Sequence, residues 1–455
     1  YMVIKNIDFG NNLEISGSLK IGDKITDTKE NPVISSVGPE RKREIIRHNR
    51  QFVYRLLCQH LGRNINSYGV LTGVRPVKLV HQLMDKGLDI NAVQEKLINE
   101  YLLSSEKAEL LTTVALTDRP FLLAPSEARK KISLYIGIPF CPSRCYYCSF
   151  PGAVLINYER DIVPFISALE KEIIAIGDYI NDNGMVVQSI YLGGGTPTVL
   201  NESDLEKVFN LLQASYVSRE TLELTVEAGR PDTLSRSKLR LLKQAGVSRL
   251  CINPQTMNNT TLQLIGRNHD CEAVVRAFGW AREAGIRLIN MDIITGLPGE
   301  TMSHYEYTAD QILRLQPDNI TVHTLAVKRG STLAELETKS NTLEKAGEIT
   351  RGVNFFNQAF TQHGFQPYYL YRQKYMRSSM ENTGYSLPGK FCFYNMQMIE
   401  ERQTIIGMGA GAGSKFVNPS NWSLTPFYNP KNPVVYHETV DRLISRKVDN
   451  LRALN

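Results

Sequence analysis

Hydrophobic positions in the middle of the chain recur as short aliphatic runs, each followed by a longer stretch with helical spacing. Ile132–Ile138, Val186–Leu192, Leu222–Val226, Ser248–Ile252, Arg287–Ile293 and Asn319–His323 read as strands. Between them, Tyr158–Tyr179, Leu205–Tyr216, Leu234–Ala245, a stretch ending at Ala284, and Tyr305–Leu315 repeat apolar residues three and four apart, as an amphipathic helix does. Six strand–helix units in series predict an α/β fold with a parallel, barrel-like sheet. The glycine-rich and polar segments follow strand ends, the face where such barrels carry their sites. Residues 1–128 read as a separate α+β N-terminal domain: β-prone residues first, then helical patterns over Glu40–His60 and Ala92–Thr117. Residues 129–365 form the barrel. Residues 366–455 form a smaller C-terminal region, rich in Tyr and Gly, that closes with a helix around Val434–Ser445 and is expected to cover the substrate site.

Composition narrows the function classes. The chain has 455 residues and a formal net charge of +6, which suits an anionic small substrate. It has no tract of interleaved basic and aromatic residues, so no nucleic-acid partner is expected. No apolar run reaches the roughly 20 residues of a membrane span. The start, Tyr1-Met2-Val3-Ile4-Lys5, lacks the charged-then-apolar order of a secretory signal, and a cytoplasmic location is expected. Seven cysteines are an odd number, and three of them crowd into the segment 141–148. That crowding reads as metal ligation in a reducing compartment and not as a disulfide framework. Cys58, Cys251, Cys271 and Cys392 are scattered among apolar neighbours and read as small buried hydrophobes.

The crowded segment is Cys141-Pro142-Ser143-Arg144-Cys145-Tyr146-Tyr147-Cys148. Thiolates on a short loop after a strand are suited to wrap an iron–sulfur cluster. A four-iron cube held by three cysteines keeps one iron open to chelate the amino and carboxylate groups of S-adenosylmethionine, whose reductive cleavage supplies an organic radical. Structural zinc normally takes four protein ligands, and no second Cys or His pair lies nearby at that spacing. The other features are weaker singly. Gly193-Gly194-Gly195-Thr196-Pro197 is either a tight turn or a backbone cradle for the amino-acid end of S-adenosylmethionine. Glu227, at the end of the third strand, is either a capping residue or a partner for the cofactor's ammonium. Asp292 is expected to end the fifth strand and meet ribose hydroxyls. Gln255 and Arg267 follow the fourth strand, where an isolated Arg is usually a solvated charge.

Together these residues resemble a known family. Tyr135-Ile136-Gly137-Ile138-Pro139-Phe140 before the cysteines, Gly193–Thr198, Val226-Glu227-Ala228 and Gly296-Leu297-Pro298-Gly299 look like the oxygen-independent coproporphyrinogen III dehydrogenase family. Leu71-Thr72-Gly73-Val74-Arg75-Pro76 and Glu227-Ala228-Gly229-Arg230-Pro231-Asp232 look most like its HemZ branch. The resemblance implies a partial parallel (β/α)6 radical SAM barrel with a [4Fe–4S] cluster on Cys141, Cys145 and Cys148. It implies contacts from Tyr135, Gly194 and Glu227 to the cluster-bound S-adenosylmethionine. A second S-adenosylmethionine is expected near Tyr147, Gly195, Thr196, Gln255, Arg267, Asp292 and Ala326. The implied reaction converts two propionates of coproporphyrinogen III to vinyl groups, with flavodoxin or ferredoxin as electron donor. Arg230, Lys328, Arg329, Arg372 and Lys374 are candidate anchors for the anionic tetrapyrrole, and Tyr371 offers a flat surface beside them. Two alternatives stand beside this reading: a methyltransferase-type radical enzyme, including anaerobic haem ring opening, and a haem chaperone without turnover. In the family's enzyme branch a further Cys follows the third ligand, where this chain has Ser149-Phe150. The chaperone branch carries a His in its C-terminal glycine motif, where this chain has Gly413.

Overall fold

Alternation with period two builds the start of the chain. Strands β1 (Met2–Asp8), β2 (Leu13–Ile21) and β3 (Lys24–Glu30) pair antiparallel in that order. Leu13, Ile15 and Leu19 share one face of β2 and pack on Phe52 and Leu56 of the helix Gly38–Leu61. Gly17 lies on the same face because a Cβ there would come within 2.7 Å of the Phe52 ring. The expected single helix over Ala92–Thr117 is two helices, Ile90–Tyr101 and Ser105–Asp118. Leu102 turns left-handed at φ 57°, its N–H closes on Leu97 O, and the Ser104 hydroxyl accepts from Lys107 N to start the next helix. Tyr1–Leu116 form one compact unit and Thr117–Asn455 a second. The computed structural model describes residues 1–148, 152–327, 331–333 and 342–454. Lys328, Arg329, Ser149 and Phe150 lie outside the described residues.

In the second unit the six apolar runs are six parallel strands. They are β4 (Lys131–Ile138), β7 (Val186–Gly194), β8 (Glu223–Glu227), β9 (Arg249–Cys251), β10 (Leu288–Thr295) and β11 (Asn319–Thr324). A short pair, β5 (Phe140–Cys141) and β6 (Ala153–Val154), sits just after β4. Ile132, Leu134, Ile136 and Ile138 share one face of β4 and are fully buried, and Ser133 and Gly137 on the opposite face are buried as well. Each of these aliphatic side chains contributes about 1.5–3 kcal/mol. The covering helices include Ile162–Asp182, Glu202–Tyr216, Arg236–Gln244, Cys271–Glu283 and Met302–Leu315. Asn201, Ser235 and Asp270 cap three of them by accepting backbone N–H groups of the first turn.

The C-terminal region extends the sheet itself. It supplies β12 (Gln366–Tyr371), β13 (Asn382–Ser386), β14 (Thr404–Gly409), β15 (Gly413–Asn418) and β16 (Ser423–Tyr428). The resulting sheet has 11 strands in the order β12-β13-β11-β10-β9-β8-β7-β4-β14-β15-β16. β14 joins β4 in parallel, from Thr404↔Ile132 to Gly409↔Gly137, and β13 joins β11 antiparallel. Both sides of the partial barrel are therefore extended by the same late segment, which moves the sheet's edges from β11 and β4 out to β12 and β16. The final helix, Pro433–Arg452, packs beside Ile162–Asp182. Among the described residues no helix is long and apolar enough to cross a membrane.

Candidate active site

The cysteine segment starts where β4 ends. Pairing of β5 with β6 (Cys141↔Val154) folds the chain after the cysteines back beside Cys141. Two turns of backbone lock it to the end of β7: Gly195 N donates to Ile138 O and Thr196 N to Phe140 O, each at 2.7 Å. Cys145 is buried, and Cys141 and Cys148 are half-buried. Burial pushes the Cys141 thiol up to about 11; Cys148 and Cys145 push the same way, against a 3.7 Å hydrogen bond from Thr196 Oγ1 and the charge of Arg230. Thiols this close resist ionising together unless a cation collects them.

The space fits such a group. A Cβ on Gly152 would stand 3.2 Å from Cys141 Sγ, and one on Gly195 would stand 2.4 Å from Phe140 O, so both glycines let backbone pass close to the cysteine loop. The donor set is three sulfurs on one loop. Cys251 and Cys392 are turned elsewhere, Cys251 to Tyr191 OH at 3.9 Å and Cys392 to Glu223 Oε1 at 3.2 Å. Three sulfurs and no fourth on this loop suit a four-iron cube with one iron open, held by Cys141, Cys145 and Cys148.

Beyond the loop, the parallel strands turn a row of polar side chains inward. Gly193 is the close neighbour of three of them: a Cβ there would lie 3.1 Å from Tyr135 OH, 3.2 Å from the Tyr191 ring and 3.3 Å from the Glu227 carboxyl carbon. Tyr191 OH donates to Glu227 Oε1 at 2.7 Å. Burial raises Glu227 to about 7; Asp292 adds to the rise, and Tyr191 and His323 oppose it. Asp292 accepts from Asn290 Nδ2 at 2.7 Å and lies 3.5 Å from His323 Nε2. Burial pushes Asp292 up, but His323, Asn290 and Thr321 outweigh it, so its carboxyl stays below the usual value. The other ring nitrogen of His323 is 3.4 Å from Tyr371 OH. Tyr135, Tyr191 and Tyr394 stack into one aromatic wall, Tyr191 and Tyr394 with centroids 4.6 Å apart.

The structure brings most of the expected cofactor residues into this region. Tyr135 and Glu227 meet around Gly193, and Gly194, at φ 108°, is packed on the Ile138 backbone. Arg267 is buried and not solvated: it donates to Gly229 O at 2.7 Å, Asn253 O at 2.9 Å and Tyr147 OH at 2.9 Å. Gln255, left-handed at φ 70°, donates its N–H to Asp292 O. Ala326 pairs with Met376. Asp292 does not end its strand; β10 continues to Thr295 because Asn290–Thr295 pair in register with Asn319–Thr324. Of the expected substrate contacts, Tyr371 faces His323, Arg372 donates to Ser379 O at 3.3 Å and Lys374 is exposed. Arg230 is buried, with its guanidinium on Asp232, Ser143 and Cys145. Sequence reasoning missed Tyr191 and His323. The signal available was period two, since Tyr191 and Gly193 share one face of β7.

Residues 135–312 match the Radical SAM superfamily model. The chain is 36% identical over 415 residues to the oxygen-independent coproporphyrinogen-III oxidase-like protein HemZ of Bacillus subtilis, covering 90% of this chain and 82% of that protein. It is 38% identical over 198 residues to the heme chaperone HemW of the same species, covering 43% of this chain and 51% of that one. The solved structure of coproporphyrinogen III oxidase (HemN) from Escherichia coli matches with a TM-score of 0.56 at 24% identity, over 72% of this chain and 73% of that one, a likeness of fold. With its three-cysteine loop at the mouth of a six-stranded parallel barrel and a HemZ relative matched along nearly its whole length, the chain belongs to the radical SAM family of oxygen-independent coproporphyrinogen-III oxidase-like proteins.

Proposed function

We propose that the protein is a radical S-adenosylmethionine oxidoreductase that converts two propionates of coproporphyrinogen III to vinyl groups, giving protoporphyrinogen IX. The observation that carries this reading is the placement of Glu227, Asp292 and His323 inside a barrel whose mouth holds three thiols, in a chain whose near-full-length relative is named an oxidase-like protein. When bound, the cluster and S-adenosylmethionine supply a hydrogen-abstracting radical. The chain's own residues orient the reactants. Glu227 accepts an N–H of the cofactor's amino group. The backbone of Gly194 and Gly195 admits its amino-acid end. Arg267 holds Tyr147 in place, and the Tyr135–Tyr191–Tyr394 wall keeps water from the interior. Gln255, Asp292 and Ala326 line the place of a second S-adenosylmethionine. Arg372 and Lys374, with Lys328 and Arg329, are the proposed anchors of the substrate's carboxylates, and Tyr371 is the flat surface beside them. For each propionate, a hydrogen atom leaves the β-carbon, CO2 leaves, and one electron passes to an acceptor. A flavodoxin or ferredoxin donates the electron that starts each turnover.

The test is anaerobic incubation of the reconstituted protein with reductant, S-adenosylmethionine and coproporphyrinogen III, read by mass spectrometry. Loss of two carboxyl groups supports the proposal. A gained methyl group identifies the methyltransferase alternative. Stoichiometric haem binding without turnover identifies the chaperone, the reading that the HemW relative favours.

Glu227 gives a second check. Glu227→Ala lowers affinity for S-adenosylmethionine roughly ten- to a hundredfold while iron content is kept, since a hydrogen bond to a charged group contributes about 1.5–3 kcal/mol. The carboxyl is raised to about 7, so it is protonated below that pH and accepts no N–H through its protonated oxygen. Wild-type affinity therefore rises as pH increases through 7. The difference from Glu227→Gln shows the same midpoint. Parallel profiles for the two proteins would make Glu227 an ordinary strand-end residue.

A further inference from the structure

Arg230 lies in the segment that follows β8, and its side chain is 4% exposed. Nε and Nη2 fork the two oxygens of Asp232, each at 3.1 Å. That fixes one edge of the guanidinium and aims the other. Nη1 donates to Ser143 Oγ at 3.1 Å, Ser143 O at 3.4 Å and Cys145 Sγ at 3.6 Å. The second buried cation nearby, Arg267, gives its N–H groups to Gly229 O, Asn253 O and Tyr147 OH. His269 lies 3.8 Å from the Asp232 carboxylate; burial holds it down to about 4, so it is neutral at pH 7 and leaves the Arg230–Asp232 charge balance alone.

We propose that Arg230 is a positioning residue that sets the reduction potential of the cluster through its hydrogen bond to Cys145, and that Asp232 sets how much of the Arg230 charge the cluster feels. The inference rests on the reading of the three cysteines as cluster ligands, and it gives Arg230 a place beside the cluster in preference to the substrate. Reduction adds negative charge to a cluster and its sulfurs. A donated N–H and a nearby cation stabilise the reduced form and raise the potential. The Asp232 carboxylate opposes that cation. The two partners of one ion pair therefore have opposite effects. Arg230→Gln removes the cation and lowers the potential. Asp232→Asn removes the opposing anion, keeps a carbonyl oxygen to receive Arg230, and raises the potential. A brace that only held the loop in shape would give both substitutions the same sign.

The experiment reconstitutes the full chain anaerobically as wild type, Arg230→Gln and Asp232→Asn, and titrates each with a redox dye series followed by electron paramagnetic resonance of the reduced cluster. The expected result is a shift of about tenfold in the reduction equilibrium for each variant, in opposite directions; for one electron, tenfold is about 59 mV. Variants that titrate with the wild type, or that move in the same direction, overturn the inference. If Arg230→Gln fails to retain iron, Asp232→Asn decides alone: an upward shift supports the inference, and no shift or a downward one overturns it. A wild type with no reducible cluster overturns the cluster reading itself, a result distinct from normal wild-type behaviour with unmoved variants.

Discussion

Replacing Cys141, Cys145 and Cys148 together with alanine removes the cluster, about four irons per chain, and abolishes cleavage of S-adenosylmethionine. The effect is all-or-none because alanine offers no ligand and the chain has no substitute on this loop. Cys251 and Cys392 face Tyr191 and Glu223, and Cys271 begins the helix Cys271–Glu283. The fold should survive, since β4 and β7 are held by their own fully buried residues, Ile132, Leu134, Ile136 and Ile138 on β4 and Ile190 and Leu192 on β7. The measurement is iron and sulfide content with the visible spectrum of the reconstituted protein, alongside assay of deoxyadenosine. A triple variant that keeps its iron and still cleaves the cofactor would contradict the assignment of the three cysteines.

The largest stability effect is expected behind the barrel and away from the cysteines. Glu172, on the helix Ile162–Asp182, and Lys447, on the helix Pro433–Arg452, pair with both side chains fully buried. The carboxylate also accepts from Gly409 N at 2.8 Å and Tyr436 OH at 2.6 Å, and Asn429 joins both partners. The network thus ties the last helix to the end of β14, the strand that extends the barrel beside β4. Removing one partner strands the other charge in a dry interior. Glu172→Ala or Lys447→Ala should each cost about 3–5 kcal/mol, seen as a lower urea midpoint. The double substitution Glu172→Gln with Lys447→Met should cost much less than the two single changes added together, because no lone charge remains. Single variants with unchanged midpoints would show that the pair contributes little.

The barrel was legible because one face of each strand is aliphatic, as Ile132, Leu134, Ile136 and Ile138 show on β4, and such strands alternate with amphipathic helices. The cysteine loop was legible because its ligands are neighbours in the chain. What escaped depends on register between strands far apart in sequence. Tyr191 meets Glu227 because β7 pairs with β8 with Leu192 opposite Val226. His323 meets Asp292 because β10 pairs with β11 with Asp292 opposite Thr321. Neither pairing has a local signal. Arg230 read as a candidate substrate anchor, and only the fold turns it onto Cys145. The C-terminal strands escaped for the same reason: Thr404 pairs with Ile132, and nothing near either residue announces the other. The break at Leu102 was hidden because a non-glycine left-handed cap carries no composition cue.

The central claim is that this site removes a hydrogen atom from a propionate of a tetrapyrrole. The direct measurement uses coproporphyrinogen III deuterated at the propionate β-carbons, incubated anaerobically with the reduced protein and S-adenosylmethionine. Deuterium recovered in the deoxyadenosine, together with vinyl product, is the predicted result. Deoxyadenosine that carries no deuterium, with the tetrapyrrole unchanged, would contradict the claim.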